Sequence, residues 1–445
     1  MLNFTKPELP SFSLPTEIPE IPAEVYQHRQ ERLLKVLAEQ GFDALVIYAD
    51  REHCANLSWL CGFDPRFEEA LWVHLPGQTP TLLVGNENVS FAPAVLKIQA
   101  KVELYQQFGL PGQDRSRSNN LKGLLGKAGL AKKMRVALLG WKPMGKPEVP
   151  YWIVETLSDI TGGLPVNANR LLMDPAQGLR VVQEAEQIRQ TEYAAMLTSE
   201  AIGSWVMGLR EGISEREAAN AFAGFGLERS AHPMTNFGRP IPSGLKSPRN
   251  ATAKRGEYAQ GAFGLFGGLT CRAGRLISSS DADADGYLAL VENYLKVSRA
   301  WYASLRVGAI AGEVFAAAHK AKNDTWEFAL NPGHLIHLDE WVHSPFATGS
   351  AIPLRSGMAI QHDIIPVPKD SPAVVNMEDG IVLADAELRA ELERLNPPLM
   401  QRCQTRRQLM ERLGYELHPD VLPLSNIAGC FFPFLLEATQ VVTLL

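Results

Sequence analysis

The densest run of potentially reactive side chains lies between His334 and Asp379. NPGHLIHLDEWVHSP carries His334, His337 and His343 together with Asp339 and Glu340. LRSGMAIQHDIIP adds His362 and Asp363, and VVNMEDGIVLA supplies Glu378 and Asp379. Imidazole and carboxylate donors on neighbouring strands suit zinc, manganese or iron(II), and such an ion makes a nucleophile of water at neutral pH. The same grouping also suits a metal-free hydrogen-bond network in a core or on a surface. Successive residues of a strand face opposite ways, so His334 and His337 are expected on opposite faces of one regular strand. By the same rule His362 points away from Asp363 and is read as structural.

The elements that position these residues alternate. VYQHRQERLLKVLAEQGFDALVIYA reads as a helix, a stop at Gly41 and a strand over Ala44–Tyr48. Further strands are predicted at Ala70–Leu75, Thr81–Val84 and Arg135–Leu139, which makes an α/β domain. A long helix is predicted from Glu184 to Leu209, and a second helix starts at Ser214 with Glu217 in the capping-box position. The Gly-rich stretch from Gly256 to Leu276 reads as a β-hairpin. Helices over Asp283–Leu305 and Ala311–Asn323 follow, then strands near His334–Leu338, Met358–Pro366 and Gly380–Ala384, and helix again from Asp385. The closing LPLSNIAGCFFPFLLEATQVVTLL is too apolar for a free end and is expected to pack on the body or in a dimer interface.

Composition excludes several classes. With 445 residues, 46% hydrophobic and 21% charged, the chain is neither disordered nor a disulfide scaffold. Its 43 basic and 49 acidic side chains leave a net charge of −6, which offers no footprint for nucleic acid or an anionic membrane. No window approaches the roughly 18 uninterrupted apolar residues of a spanning helix. MLNFTKPELPSFSLP does not read as a secretory signal. Five cysteines, odd in number and without a CxxC pair, are expected as buried thiols in a reducing cytoplasm.

In the order and spacing of its motifs the chain resembles the pita-bread family, which includes methionine aminopeptidase, Xaa-Pro aminopeptidase, prolidase and creatinase. PGHLIHLDE is similar to the family's glycine-histidine strand, SGMAIQHD to the lead-in to the fourth ligand, and NMEDGIVL to the strand carrying the fifth. The resemblance implies an α/β creatinase-type N-terminal domain followed by an α+β pita-bread domain. It implies a proline-rich arm at 1–22, the first domain at 23–175, the catalytic domain at 176–400 and a C-terminal extension at 401–445.

Family metalloenzymes hold two ions with Asp, Asp, His, Glu and Glu. Carried over, His334, Asp363 and Glu378 take the last three positions. Gln260 and Cys271, eleven residues apart, stand where the two aspartates should be. A standard dinuclear centre is therefore not expected. Two readings remain: one divalent ion on Cys271, His334, Asp363 and Glu378, or no metal, as in the creatinase-like members that work with His and Glu acid–base groups. Those members carry a loop histidine that SGLKSPRNATAKRGE lacks, which leaves the upstream His232 as its substitute or as an ordinary loop residue. Lys246 and Arg249 in that loop either hold a substrate carboxylate or are simply solvated. His343 is expected as a substrate-facing catalytic histidine or as a rim residue, and His337 as a substrate contact.

The resulting expectation is a cytoplasmic, homodimeric hydrolase that cleaves an amide or amidine C–N bond of a small molecule or short peptide. An Xaa-Pro-type peptidase, a lyase of the dimethylsulfoniopropionate-cleaving type and an inactive binding module are the alternatives.

Overall fold

The structure, a computed structural model, describes residues 2–13, 15, 17–117, 120–143, 145–223, 226–241, 244–281 and 286–444. The chain divides into two compact units, one formed by residues 21–180 and the other by residues 1–20 with 181–445. It opens with strand β1 (Leu2–Thr5), which pairs antiparallel with the last strand, β17 (Val441–Leu444). The proline-rich opening and the apolar close therefore meet each other in the second unit.

The first unit is a six-stranded mixed sheet of β2 (Ala44–Ala49), β3 (Ala70–His74), β4 (Thr81–Val84), β5 (Lys101–Leu104), β6 (Val136–Leu139) and β7 (Val166–Asn167), in the order β5-β4-β3-β2-β6-β7. β2 is buried along its whole length, as a strand covered on both faces must be. Its even-numbered residues Val46 and Tyr48 join Leu71, Val73, Leu138, Ile153 and Leu157 in one apolar core. The strands predicted at 44–48, 70–75, 81–84 and 135–139 are present within a residue or two of their expected ends. β5 is half-exposed and β7 is two residues long, so neither carries a clear apolar pattern.

The second unit is built on a curved sheet. Its strands are β8 (Met234–Gly238), β9 (Tyr258–Leu265), β10 (Gly268–Arg275), β12 (His334–Leu335), β13 (Ala359–His362), β15 (Asn376–Leu383) and β16 (Val421–Pro423), in the order β12-β13-β15-β10-β9-β8 with β16 also on β15. A separate pair joins β11 (Trp326–Phe328) to β14 (Pro366–Pro368). The helices Ala185–Gly208, Tyr287–Ala303 and Ala311–Ala321 match the predicted ones closely. The start expected at Asp283 lies outside the described residues. Ser214 does cap, accepting from the Glu217 amide, but its helix is a single turn, Glu215–Ala218. Helix Ala185–Gly208 packs closely on the sheet: a Cβ on Gly261 would come within 2.8 Å of the Trp205 ring, so only glycine fits there. Among the described residues no helix is long and apolar enough to cross a membrane.

Many residues of 401–443 pack into this unit's core. From helix Pro397–Arg412, Arg402 and Arg406 both bond Glu192 of the long helix, and Arg406 also bonds Asn426. On the sheet, Arg272 of β10 is 2% exposed and uses its guanidinium fully. It donates to both Asp379 oxygens at 2.9 Å and to the carbonyls of Cys271, Ile427 and Cys430. Removing one partner of a buried ion pair strands the other charge, at a cost of about 3–5 kcal/mol. Arg272→Ala is therefore expected to lower the unfolding free energy by about that amount in chemical denaturation. A change under ~1 kcal/mol would show that the pair does not hold β10, β15 and the C-terminal segment together.

Candidate active site

Strand alternation builds the site. β10 and β15 pair with Cys271 opposite Glu378 and Ala273 opposite Asn376, while β9 and β10 pair with Gln260 opposite Ala273 and Ala262 opposite Cys271. Directly opposed residues share a face, as do residues two apart. Gln260, Ala262, Cys271, Ala273, Asn376 and Glu378 thus form one surface. Extending the β13–β15 register, in which His362 faces Asp379, brings Asp363 opposite Glu378. β12 sets His334 opposite Gln361, on the same side as Asp363.

This surface forms one wall of a cavity of about 350 Å³. The remainder is mostly apolar, with Met234, Leu245, Leu269, Leu330, Ile365 and Val374 among its lining. Donor atoms of His334, Asp363 and Glu378 all lie within 4.8 Å of one another, and all three residues are buried. His334 Nδ1 lies 3.3 Å from the Leu335 carbonyl oxygen. With the ring neutral and Nδ1 donating there, Nε2 presents a lone pair. That Nε2 lies 3.3 Å from Glu340 Oε1 and 3.5 Å from Glu378 Oε1, and among the described residues neither it nor Glu378 Oε1 has a hydrogen-bond partner.

Burial, then the neighbouring Glu378, holds the Asp363 carboxyl well above the usual range. Burial, then Glu340, does the same to Glu378. Acceptors facing acceptors in a buried place call for a cation or shared protons between them. One imidazole and two carboxylates that converge in this way fit a single divalent ion.

The other predicted site residues are placed differently. Cys271 lines the cavity but stays outside the donor group, and burial, followed by the charges of Glu378 and Asp363, pushes its thiol well above the usual range. Gln260 is held by the chain: its Oε1 accepts from the Ile241 amide at 2.9 Å and its Nε2 donates to the Ile241 carbonyl at 2.6 Å. A neutral amide so occupied does not replace a ligating carboxylate.

Lys246 donates to both oxygens of Glu215, a residue with no exposed surface, and Glu215 also accepts from the amides of Phe237 and Arg249. Its charge is consumed in tying the loop down, so it does not hold a substrate carboxylate. Arg249 is exposed, its guanidinium 3.4 Å from the Pro248 carbonyl. His232 is exposed, with Nε2 3.2 Å from the Leu245 carbonyl oxygen. Neither His337 nor His343 lines the cavity. The predicted strand at 334–338 is only two residues long, so the alternation expected of His334 and His337 does not apply. His337 is buried, and its Nδ1 accepts from the Leu338 amide.

Two residues that shape the site carry no clear signal in the sequence. The Leu335 amide donates to the His343 carbonyl and the Val342 amide donates to the Leu335 carbonyl, which closes the intervening turn over the cavity. That turn lays Trp341 on His334, with ring centroids 4.2 Å apart and planes at 17°, and brings Glu340 to the imidazole. No periodicity points to either residue, because the turn rather than a strand aims them.

On the opposite face His362 bonds Ser298 Oγ and the Met377 carbonyl at 2.9 Å each and stacks on Tyr302, which is the structural role read from its position. Burial lowers its pKa to about 4. Unfolded, the imidazole takes up a proton below about pH 6.5, which the native state resists until about pH 4. Stability is thus expected to fall as pH drops from about 6.5 towards 4, because the unfolded chain binds more protons. Denaturation midpoints of the native chain and His362→Gln across that window check this, and parallel profiles would refute it.

Residues 29–140 match the Creatinase/Prolidase N-terminal domain family. No curated protein matches the chain in sequence. Among solved structures it is similar to the dipeptidase PepE from Mycobacterium ulcerans (19% identity, TM-score 0.63, covering 82% of this chain and 94% of that one). It is also similar to a prolidase from Thermococcus sibiricus (16%, 0.65, 81% and 95%) and to a His350Ala form of Escherichia coli aminopeptidase P (16%, 0.59, 82% and 93%). Residues 29–140 thus carry a Creatinase/Prolidase N-terminal domain, and the chain shares its fold with the dipeptidase and prolidase structures over about four fifths of its length.

Proposed function

We propose that this chain is a hydrolase that cleaves an amide or amidine C–N bond of a small substrate, using His334, Asp363 and Glu378 around one divalent cation. The observation that carries the reading is the convergence of three buried donors, with Nε2 of His334 and Oε1 of Glu378 unpartnered, two of which, Asp363 and Glu378, line a cavity of substrate size. A divalent ion bound there supplies a water acidified to near neutrality.

The residues do the remaining work. Glu378 has a second carboxylate oxygen, so it takes the proton of the attacking water and returns it to the leaving nitrogen. The Leu335 carbonyl and the Trp341 ring fix the imidazole plane of His334, as supporting groups do for a ligand or an acid–base histidine. The apolar walls keep bulk water from the reacting bond. That the solved structures of similar fold are a dipeptidase, a prolidase and an aminopeptidase supports the hydrolase reading and keeps short peptides in the substrate panel.

A metal-free version, with His334 and Glu378 as the acid–base pair, is favoured by one observation: Gln260 is a neutral amide whose oxygen and nitrogen are both engaged by Ile241, so it offers a cation no charge.

Elemental analysis with activity before and after chelation tests the reading on a panel of dipeptides, creatine-like and ectoine-like compounds. The expected outcome is about one zinc, manganese or iron per chain in the native protein and in Cys271→Ala, with the ion lost in His334→Ala and turnover lowered at least ~10²-fold. Turnover that survives chelation but not His334→Ala moves the assignment to the metal-free version. No turnover on the whole panel would identify a binding module instead.

A further inference from the structure

We propose a second ligand site beside the long helix Ala185–Gly208, where Arg189, Tyr193 and Arg402 bind a small phosphate monoester. These residues line a cavity of about 950 Å³ between that helix, helix Pro397–Arg412 and the N-terminal arm. The cavity lies within the second unit and shares no lining residue with the catalytic one. The long helix covers the sheet face that looks away from the catalytic cavity: Thr198 bonds Thr270 of β10, while the next residue, Cys271, lines that cavity. A ligand here is therefore not the substrate, and the inference does not rest on the hydrolase reading.

The sequence brings the donors together. Arg189, Glu192 and Tyr193 stand at positions i, i+3 and i+4 of the long helix, so they share one face. Arg402 reaches that face from the other helix and bonds the Glu192 carboxylate through Nε at 2.8 Å and Nη2 at 2.6 Å, a pair that leaves Nη1 unused. Three observations point to an anion. The Nε of Arg189 is buried without a partner, and among the described residues its guanidinium has no hydrogen bond or ion pair. A guanidinium drawn partly out of water without a counter-charge carries a cost that a bound anion offsets. Tyr193 lines the cavity at 6% exposure, and among the described residues nothing bonds its hydroxyl. The third observation is charge. Arg402 and Arg406 share the single carboxylate of Glu192, so that trio keeps one net positive charge, and Arg189 adds another. The arm carboxylates Glu17 and Glu20 are exposed, where solvent screens them.

Asn396 and Pro398 bring the N-terminus of helix Pro397–Arg412 to the same space. Its first two residues are prolines without an N–H, and Asn396 accepts from the Leu399 amide, so this end adds the positive pole of its dipole rather than hydrogen bonds. Two positive charges with fork-shaped donors match the nearly dianionic phosphate of a monoester at neutral pH, whereas a carboxylate brings only one charge. The arm is tied down on either side of this wall: the Pro19 carbonyl accepts from Gln190 Nε2 at 2.7 Å, and the Phe12 ring lies 5.3 Å from the Arg406 guanidinium. Ile18 and Pro19 give the cavity an apolar side. The ligand class is therefore a compact phosphate monoester with an apolar body.

The test titrates phenyl phosphate, benzoate and phenol calorimetrically into the full chain, freed of metal by chelation and dialysis so that phosphate meets no ion in the catalytic cavity. Phenyl phosphate is expected to bind at least ~tenfold more tightly than benzoate, and phenol more weakly than either. Arg189→Gln weakens phenyl phosphate by about tenfold or more, and Tyr193→Phe, which keeps the ring, by about threefold. His334→Ala, in the other cavity, leaves the affinity unchanged. Circular dichroism checks that each variant folds as the native chain does. Where Arg189→Gln does not, Tyr193→Phe decides, and an unchanged affinity there overturns the inference. So does an absence of saturable phenyl phosphate binding, equal binding of benzoate, an undiminished affinity in a folded Arg189→Gln, or loss of binding in a folded His334→Ala.

Discussion

The second unit depends on the buried pair of Arg272 and Asp379. Arg272 stands between Cys271 and Ala273, and Asp379 stands next to Glu378, so the pair occupies the sheet face away from the cavity. Alternation then commits Cys271, Ala273 and Glu378 to the opposite face. A slip of one residue between β10 and β15 would carry the charges into the cavity and turn the site residues outward. The guanidinium also bonds the carbonyls of Ile427 and Cys430, so the C-terminal segment completes the pair, and the same contact explains why that segment is apolar yet ordered.

The site itself is defined by an imbalance of charge. Asp363, Glu378 and Glu340 line a mostly apolar cavity, with the buried His334 imidazole 3.3 Å from Glu340 and 3.5 Å from Glu378. A protein interior sustains such an arrangement when protons or a cation restore neutrality. Gln260, on the same sheet face, is neutral, and its amide ties β9 to the Ile241 backbone.

Much of this was legible in the sequence. Long helices and the hairpin strands follow from apolar periodicity, and helix Ala185–Gly208 ends within a residue of its expected limits at both ends. His334, Asp363 and Glu378 were legible because each sits beside an apolar strand motif with a recognisable neighbour. The short strands β5, β7 and β12 were not, because two to four half-patterned residues carry no period. The surroundings of His232, His337, His343, Lys246 and Arg249 were not legible, for a common reason. Residue type reports what a side chain is able to do, and loop geometry decides what it meets.

The sequence by itself determined the α/β first unit and the long helices and hairpin of the second, since these reside in residue identity and in periods of 2 and 3.6, while the pita-bread construction and the donors His334, Asp363 and Glu378 came from its resemblance to a known family. Only the tertiary structure decided that Cys271 stands outside the donor group, that Lys246 is neutralised, and that Glu340 and Trp341 complete the cavity wall. Those outcomes depend on distances between residues far apart in the chain and on a turn closed by two backbone hydrogen bonds, and burial there sets which charges find partners.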